Sequence, residues 1–340
     1  QKYINNIIPK FSDNTLSCAI KNTGQNNTGQ AFAPSNIALI KYWGKQDLAL
    51  NQPTNDSISI SLNNLGARTK INIQTDSNIT QDIIFLNKQL ISPLSSFAKR
   101  LTNFLNLFRA NKNTYFIIDT KLNIPMGCGV ASSACGFAAL TQALNNLFNW
   151  DLPKHELSKI AQIGSGSAAR SFWNGFVHWH AEPKVNTCQL PYSFPDLRIG
   201  LCILSNTPKK IGSTEAMLRT QKTSALYNKW PEYAQSLINP LNHAIKNKNF
   251  DEIGEISEEC AVKMHELIHS AKPKINYDLE ATRQLKQKVQ LIRKKQNIKI
   301  YFTQDAGPNI KILFLEQDNQ AVSKLFPGLI IPDVTHTNIK

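Results

Sequence analysis

Apolar and polar positions along this chain recur at two periods, and each change of period marks an element. From Asp56 to Leu62 the run DSISISL alternates strictly, which predicts a strand buried on one face, and ARTKINIQTD continues the pattern. IALIKYW, Ile37 to Trp43, is a short apolar run with strand character, and DIIFLNKQ predicts another strand with a turn at Asn87. A helical period takes over in SPLSSFAKRLTNFLNLFR. There Leu94, Phe97, Leu101, Phe104, Leu105 and Phe108 share a face, and Pro93 falls in the first turn. After the strand TYFIIDTKL, apolar residues at three- and four-residue steps from Ala134 to Phe148 predict a second helix. HELSKIAQIGSGSAARSF reads as a helix running into a small-residue segment, followed by the strand GFVHWH. Pro191 and Pro195 interrupt the chain and LRIGLCILS opens a new strand, so a lobe boundary is placed there. The second half is helix-rich: GSTEAMLRTQ, then Trp230 to Asn247, Asp251 to Ala271 and Leu279 to Lys295. It closes with the strands IKIYFTQ and IKILFLE around the turn DAGPN. Order is expected to begin at Phe32, because residues 1–30 are rich in Asn, Gln, Lys and Thr and predict a loosely held extension.

Composition narrows the class. A chain of 340 residues accommodates two lobes, each with a core, and 41% hydrophobic with 18% charged residues fits a soluble globular protein. No apolar run approaches the ~20 residues a bilayer span needs, and QKYINNIIPKFSDN is too polar for a signal peptide. The six cysteines form no CxxC pair, which predicts reduced thiols in a cytoplasmic protein. A net charge of +14 suits either a nucleic-acid binder or an enzyme that collects a polyanionic substrate. Between Met264 and Lys299 nine Lys and Arg face three acids, but no aromatics interleave with them as in an RNA-reading module. That segment reads as a helix with a solvated face.

Five constellations carry candidate chemistry. In NIPMGCGVASSACGFAAL, Gly127 and Gly129 permit a tight loop, and Ser132 and Ser133 fall where the helix begins. Unpaired N–H groups and the positive dipole end favour a phosphate there. No lysine follows the glycines, so this is not the GxxxxGK[ST] loop, and a glycine turn with a serine N-cap is the competing reading. In FAPSNIALIKYWGK, Lys41 and Lys45 flank Tyr42, Trp43 and Gly44, as an anion clamp walled by aromatics or as an ordinary strand end. IGSGSAARS offers serine hydroxyls, glycine N–H groups and the planar fork of Arg170, or else a linker with one surface Arg. In QDAGPN, Asp305 is either a carboxylate fixed by a sharp turn or simply part of that turn. His265, Glu266 and His269 spell HExxH, which on a helix puts two imidazoles on one face for zinc. The next histidine is His336, near the chain end, and no HxxGxxH continuation follows. His178 and His180 leave the same side of a strand with no cysteine or carboxylate at ligand spacing, and read as surface or packing residues.

Taken in order, APSNIALIKYWGK, PTNDSISISL, PMGCGVASSACGFAAL, GSGSAARS, STEAMLRT and TQDAGPN resemble the successive motifs of the diphosphomevalonate decarboxylases. These belong to the galactokinase, homoserine kinase, mevalonate kinase and phosphomevalonate kinase (GHMP) superfamily. The resemblance implies a two-lobed α+β GHMP-kinase-like fold. Residues 31–192 would form an N-terminal lobe like ribosomal protein S5 domain 2, and residues 193–340 a ferredoxin-like C-terminal lobe. It implies ATP-dependent decarboxylation of mevalonate 5-diphosphate to isopentenyl diphosphate in the cytoplasm, by a homodimer that binds neither nucleic acid nor membrane. A decarboxylase of the 5-phosphate and a mevalonate 3-kinase are the alternatives on the same fold. By the same resemblance, Asp305 stands beside the 3-hydroxyl, Lys41 lies near it, and Arg170 holds the substrate carboxylate with Asn36 nearby. Tyr42, Trp43, Gly44, Lys45, Ser165, Gly166, Ser167 and Thr214 bind the substrate and its diphosphate, with Lys99 or Arg100 as a further basic residue. The loop of Gly127, Gly129, Ala131, Ser132 and Ser133 cradles ATP, and Ser132 or Ser133 is the implied Mg2+ ligand. Gln304 departs from the apolar residue usual before the catalytic Asp, and HSAKPKINYD from a more apolar, Pro-Pro-containing family segment.

Overall fold

The computed structural model describes residues 26–76, 78–109, 113–124, 132–181, 183, 186–207 and 209–334. The N-terminal half builds a seven-stranded sheet from β1 (Gly29–Ile40), β4 (Ser57–Ile73), β5 (Ile83–Leu86), β6 (Gln89–Leu90), β7 (Phe116–Leu122), β8 (Phe176–Trp179) and β9 (Thr187–Gln189). A two-stranded ribbon of β2 (Lys45–Asp47) and β3 (Gln52–Pro53) stands apart from it. The sheet runs β6-β5-β7-β4-β8-β9, with β1 along the other side of β4. At 17 residues β4 is long enough to pair with β8 through Ser57–Ile60 and with β7 through Ala67–Ile73. Helices α1 (Ser96–Leu105), α2 (Ser132–Phe148) and α3 (Lys154–Gly164) follow, and α2 packs on β1 and β4. A 3₁₀ turn, Gly166–Arg170, continues from α3.

In the second half β10 (Leu197–Cys202), β11 (Ile300–Gln304) and β12 (Ile310–Leu315) form an antiparallel sheet in the order β10-β12-β11. Around it lie α4 (Ser213–Thr223), α5 (Trp230–Ser236), α6 (Ile238–Lys246), α7 (Phe250–His269), α8 (Glu280–Gln296) and α9 (Asn319–Leu325). The 20-residue α7 touches both β1 and β11, and so joins the two sheets.

Four expectations need correction. DSISISL is buried on both faces, since Ser57, Ser59 and Ser61 are as inaccessible as Ile58 and Ile60. Its polar face meets the 3₁₀ turn, where Ser57 Oγ accepts a hydrogen bond from Arg170. Pro93 precedes α1 rather than lying in its first turn; Ser95 caps the helix by accepting from the Ala98 N–H at 3.1 Å. The span expected as one helix from Trp230 divides at Leu237, because Pro240 has no N–H for the carbonyl four residues back. Order also begins before Phe32: Gly29 pairs with Ile71 in the sheet, and the Asn26 N–H donates to Leu147 O at 2.9 Å. The rest of the expected extension lies outside the described residues.

Candidate active site

A cleft of about 610 Å³ is walled by the end of β1, the start of α2, the 3₁₀ turn, the start of α4 and the turn after β11. Asp305 forms part of its wall. Lys41 Nζ lies 2.9 Å from Asp305 Oδ1 and Lys311 Nζ 2.9 Å from Oδ2, so each carboxylate oxygen faces its own ammonium. Both lysines are fully buried, whereas about a quarter of the Asp305 side chain is exposed, in the wall of the cleft. Burial pushes the Asp305 carboxyl up, but Lys311 and Lys41 outweigh it and hold it below the usual carboxylate range. Burial lowers the Lys41 ammonium, opposed chiefly by Asp305.

Backbone bonds fix both members of the pair. The Lys41 N–H meets Cys260 Sγ at 3.3 Å, its carbonyl accepts from Asn55 Nδ2 at 2.9 Å, and Nζ also donates to Ala38 O at 2.6 Å. The Asp305 carbonyl accepts from the Gly307 N–H at 2.7 Å and from His265 Nε2 at 3.1 Å. His265 Nε2–H is the donor in that bond, and burial, then the nearby Lys286 charge, pushes the imidazole pKa down against the pull of Asp278. The departure at Gln304 serves the same turn: Nε2 donates to Gly307 O and to Asp278 Oδ1, each at 2.8 Å.

Arg170 forms a second anchored cation in the same cleft. Nε donates to Asn36 Oδ1 at 3.2 Å, Nη1 to Ser57 Oγ at 2.6 Å, and the guanidinium lies over the Trp179 ring at 5.6 Å. Asn36 is fixed in turn by Nδ2 donating to Ser171 Oγ at 2.8 Å. Burial lowers the Arg170 pKa to about 10, which leaves the group charged at neutral pH. Lys45 donates to Asn51 Oδ1 at 2.5 Å; burial, then the Arg100 charge, lowers it to about 8. An arriving polyanion reverses that shift, so Lys45 is suited to take one.

Ser133 Oγ lies 3.3 Å from Ser165 Oγ, and Ser165 Oγ 3.4 Å from Ser167 Oγ, so the start of α2 meets the Gly-Ser segment directly. Both Ser132 and Ser133 line the cleft, and no acidic side chain stands in the first turn of α2. Hard hydroxyl donors at a helix N-terminus suit Mg2+ shared with phosphate oxygens, not a soft metal. Gly127, Gly129 and Ala131 lie outside the described residues.

Tyr42, Trp43, Gly166 and Thr214 also line the cleft. The Tyr42 hydroxyl is buried with no partner, and its ring meets Trp179 edge-on at 4.8 Å. Gly44 does not line the wall. Its φ of +133° and a Cβ position only 2.0 Å from Tyr227 Oη explain the glycine instead. Gly44→Ala is expected to destabilise by about 2–5 kcal/mol, from backbone strain and overpacking together, read as a lower urea midpoint. Of the two basic candidates, Arg100 reaches the cleft wall, where it donates to Gly164 O, and Lys99 does not.

Sequence reasoning missed Lys311, Ser57 and Lys209, whose Nζ donates to Ala306 O. A lysine between two core isoleucines of β12 was the one visible signal for Lys311.

Among the described residues HELIH forms part of no three-ligand cluster. His265 Nε2 is taken by Asp305 O, His269 Nε2 by Asn276 Oδ1 at 3.0 Å, and Glu266 by Lys263 at 2.9 Å. His336 lies outside the described residues. His178 and His180 need the opposite correction: folding brings Asp56 and Cys188 beside them.

The sequence matches the "Diphosphomevalonate decarboxylase-like N-terminal domain" over residues 33–189 and the "Mevalonate 5-diphosphate decarboxylase C-terminal domain" over 199–339. It is 31% identical over 315 residues to diphosphomevalonate decarboxylase of Debaryomyces hansenii, covering 86% of this chain and 81% of that protein. With the Candida albicans enzyme it shares 32% over 312 residues, 86% of each chain. Mevalonate diphosphate decarboxylase from Staphylococcus aureus superposes with a TM-score of 0.83 at 31% identity, over 92% of this chain and 97% of that one. A structure of MDDEF in complex with MVAPP, AMPPCP and magnesium superposes with a TM-score of 0.82 at 31% identity, over 89% and 95% of the two chains. The architecture is thus the mixed α+β, two-lobed GHMP-kinase-like fold.

Proposed function

The chain belongs to the diphosphomevalonate decarboxylase family, and from that premise we infer how its own side chains divide the work. It is an ATP-dependent carbon–carbon lyase of the mevalonate pathway. It converts mevalonate 5-diphosphate and ATP to isopentenyl diphosphate, ADP, phosphate and carbon dioxide, with Mg2+.

The observation that carries the assignment of roles is the carboxylate of Asp305 held between two buried lysines in a cleft that also presents Arg170. The tertiary hydroxyl of the substrate is a poor leaving group until it is phosphorylated. Asp305 accepts its hydrogen bond and aims the oxygen. So acidic a carboxyl is a weak base, which suits a loose phosphoryl-transfer transition state where the hydroxyl proton leaves late. Lys41 places positive charge beside the acceptor oxygen and the phosphoryl group it takes, as the bond to the γ-phosphorus forms and the bond to ADP breaks. Arg170, braced by Asn36 and Ser57, holds the substrate carboxylate so that the breaking bond aligns with the departing phosphate. As phosphate leaves with its bonding electrons, the C–CO2 pair fills the cationic carbon and becomes the new double bond. Holding the carboxylate also stabilises the ground state, so Arg170 contributes by orientation.

Ser165, Gly166, Ser167, Tyr42, Trp43, Lys45, Thr214 and Arg100 form the diphosphate end in this reading, with Gly44 shaping the loop. Ser132 and Ser133 open the nucleotide end, where the hydroxyl of one or the other would hold Mg2+, which when bound neutralises phosphate charge. Lobes at 31–192 and 193–340, a cytoplasmic setting and a homodimer belong to the same proposal; the two separate sheets support the lobes, and sedimentation tests the dimer.

One experiment tests the reaction and the substrate together. Protein and Mg-ATP are mixed with mevalonate, its 5-phosphate or its 5-diphosphate, and ADP and carbon dioxide are measured separately. The diphosphate is expected to yield both in equal amounts and to be strongly preferred. ADP without carbon dioxide would make the chain a 3-kinase, and preference for the monophosphate would remove the diphosphate roles assigned above.

A further inference from the structure

Among the described residues, one group of metal-ligating side chains converges outside the cleft: Asp56, His178 and His180, with ligand atoms all within 4.8 Å of one another. His178 and His180 are two apart along β8 and its continuation, so both imidazoles leave one face. Ser57 pairs with Trp179 and Ile58 with His178, which brings Asp56, just ahead of β4, level with them. Asp56 Oδ2 lies 2.9 Å from His178 Nε2 and 3.2 Å from His180 Nδ1, while Oδ1 accepts from the Ala181 N–H at 2.8 Å. Asp56 and His178 are buried; a third of the His180 side chain is exposed.

We propose that these three residues form a binding site for one divalent cation of the zinc class, with Asp56 Oδ2, His178 Nε2 and His180 Nδ1 as ligands and water as the fourth. One carboxylate and two imidazoles are the borderline donors such an ion takes, and imidazoles disfavour calcium or magnesium. The supporting shell is in place. The Ala181 N–H orients the carboxylate, and Cys188 Sγ stands 3.7 Å from His180 Nε2, on the nitrogen left over when Nδ1 ligates. The ion replaces the N–H hydrogens that now point at Oδ2. Tetrahedral donors at ~2.0–2.1 Å from zinc stand about 3.3 Å apart, so the carboxylate–imidazole separations of 2.9 and 3.2 Å each widen slightly. The rings, with centroids 3.7 Å apart, must also splay, and His180 at the surface is free to turn.

The site ties the β8–β9 hairpin to residues 55–57. Asn55 holds the Lys41 carbonyl and Ser57 braces Arg170, so an ion here stiffens the support of both cations without lining the cleft.

Tag-free protein stripped with EDTA tests the proposal, titrated with Zn2+ by calorimetry and with Co2+ by visible absorbance. One equivalent of Zn2+ is expected, with Co2+ giving the d–d bands of a four- or five-coordinate site. Loss of a single outer-shell partner costs about 10- to 100-fold in affinity, so His180→Ala, at a surface position, should weaken binding by at least about tenfold. Circular dichroism confirms that the variant is folded. Absence of one-to-one binding overturns the site, as does binding that His180→Ala leaves within about twofold of wild type.

Discussion

Asp305→Asn is expected to lower turnover by about 100- to 10,000-fold, the range for loss of a positioned proton acceptor, while ATP still binds. Carbon dioxide and ADP should fall together, because the residue acts before the carboxylate is lost. A fluorescent ATP analogue separates binding from chemistry, and near-normal release of either product would take Asp305 out of the mechanism. The substitution also has a structural consequence beyond the turn. It leaves Lys41 and Lys311, 2% and 1% exposed, without the carboxylate that balances them. Breaking a buried pair costs about 3–5 kcal/mol, and the lower end applies because Asp305 opens to the cleft. The same pairing makes stability depend on pH with a definite sign. The carboxyl is depressed in the folded chain, so its contribution is complete above the ordinary value of 3.8 and is lost as pH falls through the lower folded value. Adding Lys311→Met to Asp305→Asn should restore much of the stability and none of the activity. Recovery of activity would mean that only folding had been lost.

How much of this was legible beforehand depended on whether a residue's partner lay close in sequence. Turn chemistry placed Asp305 correctly between two strands, because Asp, Gly, Pro and Asn act over six residues. Helical periodicity found α2 and α7 for the same local reason. Ser57 shows the limit. Strict alternation predicts one wet face, yet that face packs on Arg170, 113 positions away. The Asp56 cluster was invisible for the same reason, since 122 residues separate Asp56 from His178. HELIH failed in the other direction. Its spacing is local and correct, but tertiary contacts turn the two Nε2 atoms toward different partners. Joining Lys41, Arg170 and Asp305 in one site required the family resemblance, because no single motif contains more than one of them.

Lys41→Met tests whether the Lys41–Asp305 pair works as a unit. Removing a preorganised cation from a phosphoryl-transfer site costs about 100- to 1,000-fold in turnover, and that loss is expected in kcat with little change in KM for ATP. Methionine keeps the length of the stem, so the gap in the wall stays small. A second readout distinguishes electrostatics from lost packing. With Lys41 gone, Lys311 alone opposes the burial that pushes Asp305 upward, so the Asp305 carboxyl must rise. In the wild type its protonation lies too low to limit the rate near neutrality; in the variant the acid limb of kcat/KM should move to higher pH. Lys41→Arg keeps the charge but not the compact ammonium that reaches Ala38 O and Asp305 together. It should leave the acid limb near its wild-type position while remaining slow. An unchanged acid limb in Lys41→Met would show that Lys311 alone sets the charge of Asp305, and Lys41 would then act only on the substrate.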